Sequence, residues 1–115
     1  MIPPPFKDRF IGDSGVDVAA QEIDAWFPDG EKRRVVLRLG APFQKDGFTK
    51  IRAELEHLDR TDGPLCGEGT FHTVVIGLSF IIGRLAVFEK KHGCRYFWPG
   101  SSDPFDYRDI FSTLK

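Results

Sequence analysis

Residues 70–92 read TFHTVVIGLSFIIGRLAVFEKKH, and Gly93 follows them. The hydroxyl of Thr70 can cap a first helical turn. Lys90, Lys91 and His92 suit the negative end of a helix dipole, and Gly93 is the residue type best able to take the left-handed position past a helix end. These signals agree on one helix from Thr70 to His92, around which the rest of the chain is arranged.

That helix is unusually apolar. Between Val74 and Phe88 the only polar side chains are Ser79 and Arg84, with Gly77 and Gly83 as gaps. A membrane span needs about 20 predominantly apolar residues, and this shorter run holds an arginine and is flanked by charge, so no membrane segment is expected. At about 100° per residue, Phe71, Val74, Val75, Leu78, Ile81, Ile82, Leu85 and Phe88 fill a broad arc expected to lie on a sheet. Ile76, Phe80 and Val87 form a second stripe beside Ser79 and Gly83. Burying such side chains is worth on the order of 1.5–3 kcal/mol each, so this stripe calls for a cover. The chain's own ends, a second copy in a homodimer, and another protein are the candidates.

Three strands precede the helix. From Val18 to Phe27, Gln21, Ile23, Ala25 and Phe27 alternate with Glu22, Asp24 and Trp26, the period of a half-buried strand. Pro28-Asp29-Gly30 is a turn, and Lys32 to Leu39 returns with Val35 and Leu37 inward and Arg34 and Arg38 outward, which makes a hairpin. Gln44 to Gly47 read as a polar turn, and a third strand runs from about Phe48 to Leu58, with Ile51, Ala53 and Leu55 inward against Arg52, Glu54 and Glu56. Residues 59–69, DRTDGPLCGEG, read as a loop. Past the helix, Cys94 to Trp98 is strand-like and ends at Pro99-Gly100. The expected fold is α+β: a mostly antiparallel four-stranded sheet, β-β-β-α-β along the chain, with one long helix on one face. Residues 1–17 read as a Pro-rich arm and 18–115 as a single domain. In the arm Phe6, Phe10 and Ile11 could dock, and in the tail Phe105, Tyr107, Ile110 and Phe111.

Composition narrows the function. The 115 residues are 41% hydrophobic and 29% charged, so a core can form. Sixteen basic and 17 acidic residues give a net charge of -1, without the basic excess of a non-specific nucleic-acid binder. Met1 is followed by Ile-Pro-Pro-Pro rather than a basic stretch and an apolar run, so no signal peptide is read and a cytoplasmic globular domain is expected. Two cysteines supply no disulfide framework.

No reaction can be read from the residues. His72 near Glu68 or Cys66 at the helix start could support thiol chemistry, but no nucleophile motif surrounds them. The glycines of residues 63–70 precede a helix, where anions can bind, yet the segment lacks a P-loop lysine and Glu68 would repel phosphate. His92 and Cys94 would need two further ligands to hold zinc. No catalytic residue, metal or cofactor is therefore assigned. Trp26 is different: on the open sheet face it stands beside Arg34, Arg38 and Arg52, with Glu54 nearby. An aromatic anchor among arginines is how protein-binding hot spots are composed. Tyr96 and Trp98 offer a second such place.

From Val35 onward the chain resembles a family of small uncharacterised bacterial proteins, through VVLRLGAPF at 35–43, IRAELEHL at 51–58, CGEGTFHTVVIGLSFIIGRL at 66–85 and GCRYFWPG at 93–100. In size and build it also resembles the α+β immunity proteins of bacterial toxin systems, which bind and block a toxin without catalysis. The resemblance implies a non-enzymatic protein-binding domain that occludes a cognate toxin; no functional residue carries over from it, and the open sheet face, read from the residues themselves, offers Trp26, Arg34, Arg38, Arg52 and Glu54 for that contact. The alternatives are a domain self-associating through Ile76, Phe80 and Val87, and a small enzyme using Cys66 and His72.

Overall fold

The computed structural model describes residues 13–61 and 63–109. Most of the expected arm, with Phe6, Phe10 and Ile11, lies outside these residues, as do Ile110 and Phe111. The elements are β1 (Asp17–Trp26), β2 (Lys32–Gly40), β3 (Phe43–Lys45), β4 (Phe48–Ile51), β5 (Ala53–Glu56), β6 (Leu65–Gly67), α1 (Gly69–His92) and β7 (Arg95–Phe97).

The fold is α+β. A four-stranded sheet has the order β5-β2-β1-β7 with every pair antiparallel, so its strands and the helix follow the expected β-β-β-α-β sequence. The β1–β2 hairpin closes at Trp26 opposite Lys32. Its turn is held by the Phe27 N–H donating to Glu31 O at 2.8 Å and the Glu31 N–H donating to Asp29 Oδ1 at 2.8 Å. Ile23, Ala25, Val35 and Leu55 are fully buried on the face that turns toward the core, where each large apolar side chain contributes roughly 1.5–3 kcal/mol.

A second, three-stranded sheet, β3-β4-β6, is added to the expected four-stranded one. The residues read as a turn at 44–47 form a tighter hairpin: Lys45 pairs with Phe48, and Asp46 (φ 52°) and Gly47 (φ 80°) supply the two left-handed positions a two-residue turn requires. The expected loop 59–69 contains β6, which pairs with β4. The expected strand 48–58 divides at Arg52. Its first part belongs to the small sheet and its second part to β2's edge, so Ile51, Arg52 and Ala53 are buried consecutively where alternation would expose the middle one.

The helix ends as its sequence dictates: Gly93 has φ 68°, and its N–H donates to Glu89 O at 2.9 Å. Its start differs, with Glu68 at the cap position and no side-chain cap. His72 Nδ1 instead accepts the Glu68 backbone N–H at 2.9 Å. The docked stripe also differs from the expected arc. Thr73, Gly77, Ile81 and Leu85 are the buried positions, while Phe71 is 83% and Val75 41% exposed. Close approach explains the rotation. A Cβ on Gly77 would lie 2.5 Å from Leu39 Cδ1 and 3.3 Å from Ile51 Cγ2, so the helix rests on its smallest side chains. Phe80 packs against the core, whereas Val87 remains 45% exposed. The tail docks through Phe105 and Tyr107, both buried.

The helix is long and apolar enough to cross a membrane by length and composition, and only 22% of its most apolar window is buried. Its flanking chain nevertheless meets in one layer: β5, before the helix, and β7, after it, belong to the same sheet. A spanning arrangement would have to strip β7 from β1.

Candidate functional site

The outer face of the main sheet, opposite the core, divides into two ends with different chemistry. At the hairpin end, Trp26 is half-buried, its ring tilted 32° against Phe97 at a centroid distance of 4.0 Å. Lys32 Nζ lies 4.2 Å from the Trp26 ring centroid. Beside them Arg34, 49% exposed, pairs with Asp24 Oδ1 at 2.7 Å and Glu22 Oε1 at 2.9 Å. Asp24 also accepts the Gly100 N–H at 2.7 Å. That backbone bond, aided by Arg34, holds its carboxyl below the ordinary range against the cost of burial.

At the other end the chain neutralises itself. Arg38 pairs with Asp17 at 2.7 Å and Glu56 at 3.0 Å. Arg52 is not on the open face at all. Its side chain is 4% exposed and meets Asp13 at 2.6 Å, Asp17 at 2.8 Å and Glu54 at 2.7 Å. Burial disfavours its charge, but the bonds to Asp17, Glu54 and Asp13 more than offset this and raise its pKa. Burial raises the Asp17 carboxyl, yet hydrogen bonds from Arg38 and Arg52 bring it below its ordinary value. Burial leaves Glu54 raised despite Arg52. The expected group Trp26, Arg34, Arg38, Arg52 and Glu54 therefore separates: Trp26 and Arg34 share the hairpin end, and Arg52 and Glu54 belong to an internal network with Arg38 on its margin.

The hairpin carries an aromatic on its other face too. Phe27 lies under the Arg33 guanidinium at 4.6 Å and lines an open groove of about 460 Å³ with Pro28, Asp29, Glu31, Arg33, Phe88 and His92. Arg33 is tied to Glu31 at 2.9 Å. The sequence singled out Trp26 but missed Phe27, because the alternation that places Trp26 outward places Phe27 toward the core, and only the helix end shows that the space there stays open.

The remaining candidates are placed as follows. Cys66 is exposed on β6 and His72 sits in the first helical turn, its Nδ1 spent on Glu68. Cys94 is buried and contacts the Tyr96 hydroxyl at 3.5 Å, while His92 lies against Phe88 with ring centroids 5.1 Å apart. Among the described residues no group of three or more His, Cys, Asp or Glu could hold a metal ion. Tyr96 donates to Leu85 O at 2.7 Å and is a core residue, which leaves Trp98, 44% exposed, as the accessible member of that pair. No family model matches the chain, and neither a curated protein nor a solved structure matches it.

Proposed function

We propose that the chain is a non-enzymatic protein-binding domain, most concretely an immunity protein of the cytoplasm that occludes a cognate bacterial toxin. Recognition is assigned to the hairpin end of the outer sheet face, centred on Trp26 with Lys32 and Arg34. One observation carries this reading: Trp26 is held in place by Phe97 and Lys32 while part of its ring stays open to a partner. An aromatic ordered in advance loses little entropy on docking, and such residues dominate interface energetics. The arginines of the opposite end act as structure, because the chain's own carboxylates occupy them.

Titration calorimetry against the toxin domain encoded beside this chain's gene tests the reading. Trp26→Ala is expected to weaken binding by roughly thirtyfold or more, the scale of a hot-spot residue, with the melting profile showing a folded protein. Absence of binding, or binding indifferent to Trp26→Ala and Arg34→Ala together, would overturn it.

A further inference from the structure

Three side chains stand in one row across the outer face of the main sheet. Trp26 is directly opposite Lys32 on β2 and Arg95 on β7, and directly opposed residues share a face of a sheet. In the next row Phe97 is opposite Asp24. The Trp26 and Phe97 rings meet at a centroid distance of 4.0 Å, and each carries a cation. Lys32 Nζ lies 4.2 Å from the Trp26 centroid, and the Arg95 guanidinium carbon lies 5.7 Å from the Phe97 centroid.

These two cations differ from the arginines around them. Arg33 is paired with Glu31, Arg34 with Asp24 and Glu22, and Arg38 with Asp17 and Glu56. Among the described residues Lys32 and Arg95 form no ion pair, and both are exposed. Asp24, one row further, is already committed to the Gly100 N–H and to Arg34. A ring face attracts a cation without neutralising it, so the row presents two positive charges on either side of an aromatic surface.

Adjacent strands lie about 4.8 Å apart, which sets the backbones of Lys32 and Arg95 about 10 Å apart with Trp26 midway. An α-helix rises about 10.5 Å over seven residues, and its positions i, i+4 and i+7 share one face. We infer, on the reading of this end as the recognition surface, that the partner lays an acidic helix across the strands. One of its carboxylates meets Lys32, another meets Arg95, and an apolar side chain between them covers Trp26. A protein helix suits the row better than a nucleic acid. The positive stretch is one row deep, with Asp24 and Glu22 beyond it along β1 and Asp29 and Glu31 in the hairpin turn on its other side. A phosphate backbone needs a longer basic track, whereas two carboxylates need only two cations.

NMR titration of the isotope-labelled full chain tests this with two synthetic peptides. One is an alanine-based helical peptide with Glu, Leu and Glu at positions i, i+4 and i+7, and the other carries Gln in place of both Glu. The Glu peptide is expected to shift the Trp26 indole N–H, and the Gln peptide to bind roughly tenfold more weakly. Lys32→Glu and Arg95→Glu are each expected to weaken the Glu peptide by roughly fivefold or more, while Lys90→Glu, at the helix end, leaves it within about twofold. Should Arg95→Glu disturb β7, Arg95→Gln is expected to weaken the Glu peptide by roughly threefold. A Trp26 indole unmoved by the Glu peptide, binding indifferent to the substitutions at Lys32 and Arg95, or an oligothymidylate bound more tightly at the same row would overturn the inference. Calorimetry with the toxin domain separates the two levels. A toxin bound through Trp26 yet indifferent to Lys32→Glu and Arg95→Glu overturns the acidic helix alone, and a toxin that does not bind overturns the recognition surface itself.

Discussion

Arg52 and Asp13 form an ion pair of 2.6 Å in which neither side chain is more than 4% exposed. The pair ties the residues before β1 to the point where the chain passes from the small sheet to the main one. It is braced by Asp17 and Glu54 on the same guanidinium and by the Arg52 carbonyl, which accepts the Gly40 N–H at 2.8 Å. Gly40 is itself required there, since a Cβ would lie 2.9 Å from Arg52 Nη2.

Removing one member of a buried ionic cluster leaves the others charged and unpaired, which costs about 3–5 kcal/mol. Arg52→Leu is therefore expected to lower the unfolding free energy by about that much in urea titrations. Arg38→Ala, on the partly exposed margin of the same network, should cost about 1 kcal/mol or less.

Gly67 and Gly77 both lie at close approaches between the helix and the sheets. A Cβ on Gly67 would fall 2.8 Å from Thr73 Cα, an obstacle of backbone, whereas one on Gly77 would press first on the Leu39 δ-methyl. Overpacking of this kind costs about 1–3 kcal/mol, and at Gly77 about 1 kcal/mol is returned because alanine favours a helix. Gly67→Ala should thus be the more destabilising of the two by thermal unfolding.

Acid should destabilise the fold through Asp17 and Asp24. Each has its pKa depressed below the ordinary 3.8 in the folded chain, so the unfolded chain binds more protons near that pH. The stability they contribute is present above about pH 4 and lost as pH falls through their folded values. Glu54 runs the other way: its pKa is raised above 4.5, so its contribution is present below that pH and lost as pH rises through its folded value. Asp24→Asn should flatten the fall of unfolding free energy below pH 4, measured as urea midpoints across an acid series.

How far the sequence speaks for this architecture differs by element. The β1–β2 hairpin and the helix end were legible because each rests on local chemistry: alternation closed by Pro28-Asp29-Gly30, and a basic last turn closed by Gly93. The helix phase was not. A segment apolar on nearly every side has no polar face to fix its rotation, and the choice fell to Thr73, which lies against Gly67, and Gly77, which lies against Leu39 and Ile51. Arg52 misled for a related reason. It sits on the outward beat between Ile51 and Ala53, and what buries it comes from Asp13 and Asp17, far away in the chain. Asp46-Gly47 was a local signal of a two-residue hairpin, but β3 and β6 are three residues each and take their strand character from pairing with β4. Trp26 emerged from alternation alone, while Phe27 needed the helix end to reveal its groove.

The outer face is divided: it is open at Trp26 and closed at Arg38, where it borders the buried Arg52 network. Hydrogen exchange of the arginine side-chain Nε–H groups, followed by NMR in mildly acidic heavy water, measures that division directly. The Arg52 Nε–H, bonded to Asp13 out of solvent, should persist long after the Arg34 signal has decayed. An Arg52 signal that vanishes as fast as that of Arg34 would contradict the account.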